Sequence, residues 1–145
     1  MDPATVLLDS RTGLHARWYF LLRVLDETNR SARYGEPFGV LLVEAQAADG
    51  SPRVAARTVS RLSEIVRDTD IAGVLGDARA GVVLPHQDAD AADLAARRIM
   101  RELQRKSRRT RVDWRLLRYP RDGADIATLV TAGWPERVGA ERQSA

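Results

Sequence analysis

Two short apolar runs on either side of a tight turn constrain the fold of this chain more than any other feature. The runs span 71–75 (IAGVL) and 81–84 (GVVL), and Gly76-Asp77-Ala78-Arg79 lies between them. This arrangement predicts a β-hairpin, whose two strands are antiparallel. Helical patterns lie on both sides of the hairpin. We therefore predict an α/β (α+β) fold, with helices flanking a central, largely antiparallel sheet, and not a doubly wound parallel sheet.

Apolar periodicity predicts the remaining elements. Helices are expected over 15–33, from 51 or 52 to 66, over 88–107 and over 125–133, with strands over 38–45 and 112–119. In the first helix, Phe20, Val24 and Leu25 are predicted to share the buried side, which Leu21 and Leu22 widen. We expect one domain over 1–134 and a frayed polar tail over 135–145.

Composition narrows the classes of protein to which the chain can belong. Its 145 residues are 44% hydrophobic and 30% charged, which suits a single domain with a real core. No stretch approaches the roughly 18 apolar residues that cross a bilayer, and the first residues do not resemble a signal peptide. We therefore expect a cytoplasmic protein without membrane insertion. There is no cysteine, and His15 and His86 are both expected at the surface, so no metal site is predicted.

The number and position of the basic residues indicate which kinds of partner the chain could bind. Lys and Arg number 23 against 20 Asp and Glu, a net charge of +3. The densest basic run, 105–111 (RKSRRTR), is of a kind that binds nucleic acid or an anionic surface. More often, a run of this kind is a solvated helix end that meets a loop, where cations complement the helix dipole. No aromatic residues interleave with the run, so we do not expect nucleic-acid binding.

Four stretches, in the right order, resemble motifs of the GGDEF domains of diguanylate cyclases. Residues 9–17 (DSRTGLHAR) are similar to the motif D-x-L-T-G-L-x-N-R, and the strand ending at Glu44-Ala45-Gln46 to one ending in D-x-D. Residues 70–85 resemble the segment with the GGDEF hairpin, and 114–125 resemble the late strand and its turn. The resemblance implies a domain that joins two GTP molecules into cyclic di-GMP, with metal ions held by acidic residues.

The residues expected to hold those metal ions are largely replaced. The signature falls on Gly76, Asp77, Ala78, Arg79 and Ala80, so its two acidic positions are taken by Ala78 and Arg79. Glu44 keeps one carboxylate. The substrate loop after Glu44 is much shorter than in the family, and the last helix is reduced to 132–134 and a tail. These departures from the family motifs predict that the domain is not an active enzyme, and we expect no catalytic residue, no cofactor and no bound metal.

The residues of a second site, which the resemblance implies, are retained in this sequence. Many GGDEF domains carry an inhibitory R-x-x-D motif before the signature and a further arginine on the following helix. Here Arg67, Asp70 and Arg98 match those positions. Guanidinium groups pair with phosphate or with the O6/N7 edge of guanine, and a carboxylate accepts from the guanine N1 and N2 donors. Alternatively, Asp70 caps the turn into the strand, and Arg67 is a surface cation at a helix end.

These residues leave three hypotheses. The first is a non-catalytic cyclic di-GMP receptor or adaptor that acts on an unidentified protein partner. The second is a nucleotide-independent interaction or dimerisation module, and the third is a residual enzyme. Trp18 replaces a polar position of the family, which predicts either core packing or a surface covered by a partner, as in a homodimer. Trp114 and Trp134 are expected to pack or to form an interface.

Overall fold

The computed structural model describes residues 7–122 and 126–131. In chain order the elements are α1 (Arg17–Tyr34), β1 (Phe38–Ala47), α2 (Pro52–Ser60), α3 (Leu62–Ile65), β2 (Ile71–Gly76), β3 (Arg79–Leu84), α4 (Ala89–Lys106), β4 (Thr110–Tyr119) and α5 (Ile126–Thr131). These strands form one sheet in the order β2-β3-β1-β4, and each neighbouring pair is antiparallel. The predicted α+β fold with a central hairpin is therefore confirmed.

Side chains alternate between the two faces of the sheet, so each strand contributes to two separate cores. On the first face, which α2, α3 and α4 cover, the buried residues include Leu41 and Val43 of β1. On the second face, which α1 and α5 cover, they include Val40 and Leu42. Because helices cover both faces, β1 is buried on both sides, which explains its continuous apolar run.

Helix α1 packs on the second face through four buried residues: Phe20, Val24, Glu27 and Ser31. The expectation that Leu22 and Leu25 join this stripe is wrong, because they are 45% and 48% exposed. The apolar side of α1 is wider than the part of the sheet that the helix covers, so one edge of this apolar side remains exposed to solvent. The buried Glu27 carboxylate is balanced by Arg23 at 3.8 Å and by Arg30 at 3.7 Å.

Two glycines allow α1 to approach the sheet closely. A Cβ added to Gly73 of β2 would lie 2.6 Å from the Phe20 Cγ, and one added to Gly81 of β3 would lie 2.6 Å from the Phe20 Cζ. Both distances are far below van der Waals contact. The Phe20 ring therefore lies directly on the hairpin, and this contact holds the beginning of α1 beside β2.

The helix predicted from 51 or 52 to 66 is interrupted at Arg61, which separates α2 from α3. Serine hydroxyls contribute to the break, because Ser60 Oγ donates to the Arg57 carbonyl and Ser63 Oγ to the Ser60 carbonyl. Helix α3 ends at Ile65 and Val66 is already extended, so Arg67 does not lie at the end of a helix, as expected, but two residues beyond α3 in the loop that leads to β2.

The other boundaries differ from the predictions by a few residues. Strands β1 and β4 extend past their apolar runs because they pair with each other as far as Ala47 and Thr110. In α4 the buried side contains Ala96, whereas Ala95, which was expected there, is partly exposed. The ends predicted for the last helix, the tail and the domain boundary at 134 lie outside the described residues. In the described part of the chain, no helix is long and apolar enough to span a bilayer.

Candidate functional site

Asp70 lies in the loop that joins α3 to β2, at the edge of the sheet, and is 8% exposed. Its Oδ2 accepts a hydrogen bond from the backbone N–H of Arg67 at 3.0 Å, and its own N–H donates to the Arg67 carbonyl at 2.9 Å. Asp70 therefore closes the turn into β2, which is the structural role that the sequence left open for it.

The second carboxylate oxygen of Asp70 is not used by this turn. Oδ1 is buried and has no hydrogen-bond partner among the described residues. Burial raises the pKa of the Asp70 carboxyl above its ordinary value of 3.8, against the opposing effects of the Arg67 N–H and of the Arg98 and Arg67 charges. Because an ionised carboxylate only accepts hydrogen bonds, Oδ1 is suited to a ligand that donates.

Arg98 reaches the same region from α4. Its Nη1 donates to the carbonyl of Ile65, the last residue of α3, at 3.3 Å, and cations near the end of a helix commonly bond such carbonyls. Its Nε and Nη2 are buried without a hydrogen-bond partner in the described part of the chain. Arg98 therefore has a structural contact and also retains two unused donors close to Asp70.

Arg67 and Asp70 line a cleft of about 200 Å³. The residues around it come from the N-terminal turn and from the α3–β2 region: Gly13, Leu14, His15, Ser63, Val66, Arg67, Asp68, Asp70 and Ala72. Arg67 is exposed, and Arg98 is not part of the lining. The structure thus brings the three predicted residues to one region, but only two of them share the cleft.

His15 also lines the cleft, although nothing in the sequence marked it as a residue of this site. The expectation that it lies at the surface is wrong, because it is partly buried and its Nδ1 has no partner among the residues described. Burial, with a smaller contribution from the charge of Arg23, lowers the pKa of the His15 imidazole below 6.5. His86 is exposed as predicted, with its Nδ1 2.8 Å from Glu36 Oε2. The one local indication in the sequence is the T-G-L motif over 12–14, which predicts a turn directly before His15.

The positions that resemble metal ligands lie on β1 and at the tip of the β2–β3 hairpin. Arg79 of β3 is the direct cross-strand partner of Glu44 of β1, and its Nε donates to Glu44 Oε2 at 2.7 Å. A charge-assisted hydrogen bond of this length is a strong one. Mg²⁺ needs several oxygen ligands, and no group of three or more metal-binding side chains occurs within 7–122 and 126–131. These residues therefore do not fit a magnesium site.

The hairpin turn itself offers little to a metal ion. Asp77, the only carboxylate of the five signature-like positions, has a 96% exposed side chain that lies 4.0 Å from Arg11. Ala78 has a positive φ of 58° and no ligand atom in its side chain, while Ala80 is buried. The Ala78 carbonyl accepts a hydrogen bond from the Ala45 N–H at 2.9 Å, which ties the turn to β1.

The connection from β1 to α2 consists only of residues 48–51. Its polar groups are used within the loop, because the Asp49 carboxylate accepts the Ser51 N–H at 2.9 Å and Ser51 Oγ accepts the Val54 N–H at 3.2 Å. Ser51 is thus the N-cap of α2, which begins at Pro52, one of the two starts predicted for this helix. A loop of this length, closed on itself, leaves little chain to surround a triphosphate.

The basic run over 105–111 is partly paired with acidic side chains, and the described tryptophans differ in their exposure. Within the run, Arg105 pairs with Glu102, and Arg111 lies 3.6 Å from Asp113. Trp114 is buried, as one of its two predicted roles requires. Trp18 is 51% exposed, so core packing is excluded for it. Trp134 lies outside the described residues.

No protein-family model matches the sequence, and no curated protein matches it. Solved structures do match. The GGDEF domain of TpbB (also called YfiN) from Pseudomonas aeruginosa is 20% identical, with a TM-score of 0.67 over 86% of this chain and 87% of that one. A sensory box/GGDEF family protein from Caulobacter crescentus is 23% identical, with a TM-score of 0.67 over 87% of this chain and 92% of that one.

A third match was solved with a ligand. The GGDEF domain of DgcB from Caulobacter crescentus, in complex with c-di-GMP, is 12% identical, with a TM-score of 0.68 over 91% of this chain and 87% of that one. At these identities the likeness concerns the fold, and it extends over most of both chains. The protein described here therefore has the fold of the GGDEF domains of diguanylate cyclases.

Proposed function

We propose that this chain is a non-catalytic receptor or adaptor domain, derived from a diguanylate cyclase domain, that binds cyclic di-GMP through Arg67, Asp70 and Arg98. The observation that carries the proposal is a set of unused polar atoms in one region: Asp70 Oδ1 and the Nε and Nη2 of Arg98. A buried polar group without a partner costs about 1–3 kcal/mol. Such groups in a folded protein require an explanation, and a ligand that pairs with them provides one.

The chemistry of the site suits a guanine nucleotide with phosphodiester groups. Asp70 Oδ1 accepts from the N1–H and N2–H donors of guanine, while the exposed guanidinium of Arg67 is available to a phosphate. The two donors of Arg98 offer a planar pair for phosphate or for the guanine O6/N7 edge. Cyclic di-GMP carries both kinds of group.

Three features support the absence of cyclase activity. Arg79 engages the carboxylate of Glu44, Ala78 supplies no ligand, and the loop over 48–51 is short. A cation beside the retained carboxylate opposes binding of a divalent metal by direct repulsion. We infer that GTP with Mg²⁺ is not a substrate.

Two solved structures of the same fold provide analogies for the receptor role. DgcB has been solved with c-di-GMP, and the diguanylate cyclase SiaD from Pseudomonas aeruginosa has been solved with its activator SiaC. By analogy, a ligand-dependent contact with a second protein is the output that we propose for this chain.

Isothermal titration with cyclic di-GMP tests the receptor role. Replacing Arg67 and Asp70 together by Ala is expected to weaken binding at least about tenfold, because one well-formed bidentate contact contributes roughly 1–3 kcal/mol. Arg108→Ala is the control, since it removes one exposed positive charge outside the site. Absence of heat with the unmodified protein, or equal binding by the double variant, would show that the proposal is wrong.

Incubation with GTP and Mg²⁺, followed by chromatography of the nucleotides, tests the loss of catalysis. We expect GTP to remain unconverted at a protein concentration at which an active diguanylate cyclase consumes it. Accumulation of cyclic di-GMP would contradict our interpretation of Ala78 and Arg79.

A nucleotide-independent interaction module is the second candidate, and the exposed side of α1 favours it. Trp18, Leu22 and Leu25 follow one another at helical spacing and are 51%, 45% and 48% exposed. Neighbouring exposed apolar residues commonly mark a protein contact, such as a homodimer interface. Multi-angle light scattering distinguishes the candidates: a dimer that Trp18→Ser with Leu22→Ser converts to a monomer, without any effect of cyclic di-GMP, supports the interaction module.

A further inference from the structure

The cleft beside Asp70 includes a segment that the proposed binding residues do not use. Gly13, Leu14 and His15 of the N-terminal turn line it together with Arg67 and Asp70. The cleft therefore lies between two parts of the chain that are more than 50 positions apart in sequence. A molecule bound there contacts both.

Backbone hydrogen bonds hold His15 firmly at this place. The His15 N–H donates to the Ala72 carbonyl at 3.0 Å, and the Val74 N–H donates to the His15 carbonyl at 2.9 Å. The imidazole packs against Tyr19, with 5.1 Å between ring centroids. These contacts leave Nδ1 buried and without a partner in the described part of the chain.

Two residues that line the cleft thus each have a buried polar atom without a partner among the described residues, Nδ1 of His15 and Oδ1 of Asp70. An ionised carboxylate only accepts hydrogen bonds, whereas the imidazole Nδ1 accepts or donates according to its tautomer. A ligand that satisfies both must present at least one N–H donor to Asp70 and a second polar atom to His15. The edge of a heterocyclic base has such a pattern.

The volume of the cleft limits how much of a ligand it holds. Pockets that enclose a drug-sized molecule measure roughly 300–1,000 Å³, and this cleft is about 200 Å³. It therefore suits one base, with the sugar and phosphate outside it near the exposed Arg67. Guanine fits the donor requirement better than adenine does, because its N1–H and N2–H both face a single carboxylate.

We propose that His15 is a ligand-binding residue of this cleft, and that its Nδ1 and Asp70 Oδ1 together recognise the edge of one guanine base of a guanine nucleotide. This inference rests on the proposed function and adds to it a base-specific contact from the N-terminal turn. Occupancy of the cleft then joins that turn to the α3–β2 loop.

Nitrogen NMR of the imidazoles tests the contact directly, because the chain has only two histidines. With ¹⁵N-histidine protein, saturating cyclic di-GMP, or GMP as a single-base probe, is expected to shift the His15 ring signals. The His86 signals serve as an internal control, since Arg30 and Glu36 flank its ring outside the cleft. Cyclic di-AMP is expected to bind at least about tenfold more weakly, as a site built for hydrogen bonds rejects a base that lacks them.

His15→Phe provides the matched variant, because it keeps an aromatic ring against Tyr19 and removes Nδ1. It is expected to weaken cyclic di-GMP binding about tenfold, because one hydrogen bond to a desolvated group is lost. The control, His86→Phe, is expected to bind like the unmodified protein. Circular dichroism checks that the variants fold, and if His15→Phe does not, the NMR shifts of the unmodified protein decide the question.

The outcomes separate the two proposals. If cyclic di-GMP binds and the Arg67→Ala/Asp70→Ala variant loses that binding, but the His15 signals do not move, the role of His15 is wrong and the proposed function stands. If cyclic di-AMP binds as tightly as cyclic di-GMP, the recognition of guanine is wrong. If neither cyclic di-GMP nor GMP produces heat or a shift, both proposals are overturned.

Discussion

Arg79 places a positive charge beside Glu44, at the end of the β1–β3 pairing. Its guanidinium lies across the β1–β3 pairing from Glu44 and donates to it at 2.7 Å. The carboxylate is only 16% exposed in its side chain, so it depends on this partner for part of its solvation. The pair therefore stabilises the sheet at the point where the resemblance implied a metal ion.

We predict that Arg79→Met lowers the free energy of unfolding by about 1 kcal/mol, the usual value for one intramolecular hydrogen bond. Met preserves most of the aliphatic stem and removes the charge. Urea unfolding of Arg79→Met, Glu44→Gln and the double variant forms a double-mutant cycle, in which the double variant is expected to be more stable than the two single losses predict. Strict additivity would show that the pair contributes nothing.

Asp70 is a residue whose ionisation is disfavoured by the fold. Burial raises its pKa above 3.8, so the native state binds the proton more tightly than the unfolded state. At neutral pH the ionised carboxylate therefore reduces stability, and this cost disappears as the pH falls through the raised pKa towards 3.8. In the proposed function the same carboxylate, whose Oδ1 has no partner among the described residues, accepts from the ligand, and such conflicts between stability and function are common.

We predict that Asp70→Asn increases the free energy of unfolding at pH 7, and that this increase shrinks towards zero as the pH is lowered to about 4. The Asn side-chain oxygen can still accept the Arg67 N–H that Oδ2 accepts in the unmodified protein. Urea unfolding of both proteins across this pH range is the measurement. A variant that is less stable than the unmodified protein at pH 7 would contradict the sign of this argument.

At the scale of elements, the docking of α1 on the hairpin positions the N-terminal turn and with it the cleft. The contact depends on Phe20 lying against two residues without side chains, Gly73 and Gly81. Because His15 lies two residues before α1 and bonds to β2, a change in this packing moves the turn as well.

We predict that Gly73→Ala destabilises the protein by about 1–3 kcal/mol, as overpacking of a tight core contact does. Gly76→Ala is the matched control on the same strand, since the nearest heavy atom to its new methyl group is 3.9 Å away, on Arg79. Thermal unfolding compares the two variants. Equal stability of both would mean that α1 does not require close contact with β2.

At the scale of the whole molecule, ligand binding and folding are linked. A ligand that binds only the native state stabilises it by about 2.7 kcal/mol when its free concentration is one hundred times its dissociation constant. The Arg67, Asp70 and Arg98 side chains come from a loop and from α4, so the proposed site can form only when the sheet and helices are assembled.

We predict that cyclic di-GMP at this excess increases the free energy of unfolding by that amount in the unmodified protein, with no effect in the Arg67→Ala/Asp70→Ala variant. Urea titrations with and without the nucleotide measure it. The Arg108→Ala control should respond like the unmodified protein. A similar increase in the double variant would place the ligand elsewhere on the molecule.

Local patterns in the sequence were sufficient for the class of fold, because helix periodicity and the hairpin turn act over a few residues. The resemblance also pointed to Arg67, Asp70 and Arg98, which the structure brings to one region. The Glu44–Arg79 pair is different, since its members are 35 positions apart and meet only through the register of the sheet.

Tertiary structure alone decided which part of an apolar pattern is buried and which side chains share a cavity. Periodicity in α1 marks a wide apolar side but not the width of the surface it meets, so Leu22 and Leu25 were expected inside and lie outside. Nothing in the sequence marked His15 as a residue of the cleft, because its surroundings are supplied by β2 and by the α3–β2 loop. A cleft formed by distant segments has no local signature, since the chain must fold before the polar atoms in it lose their water.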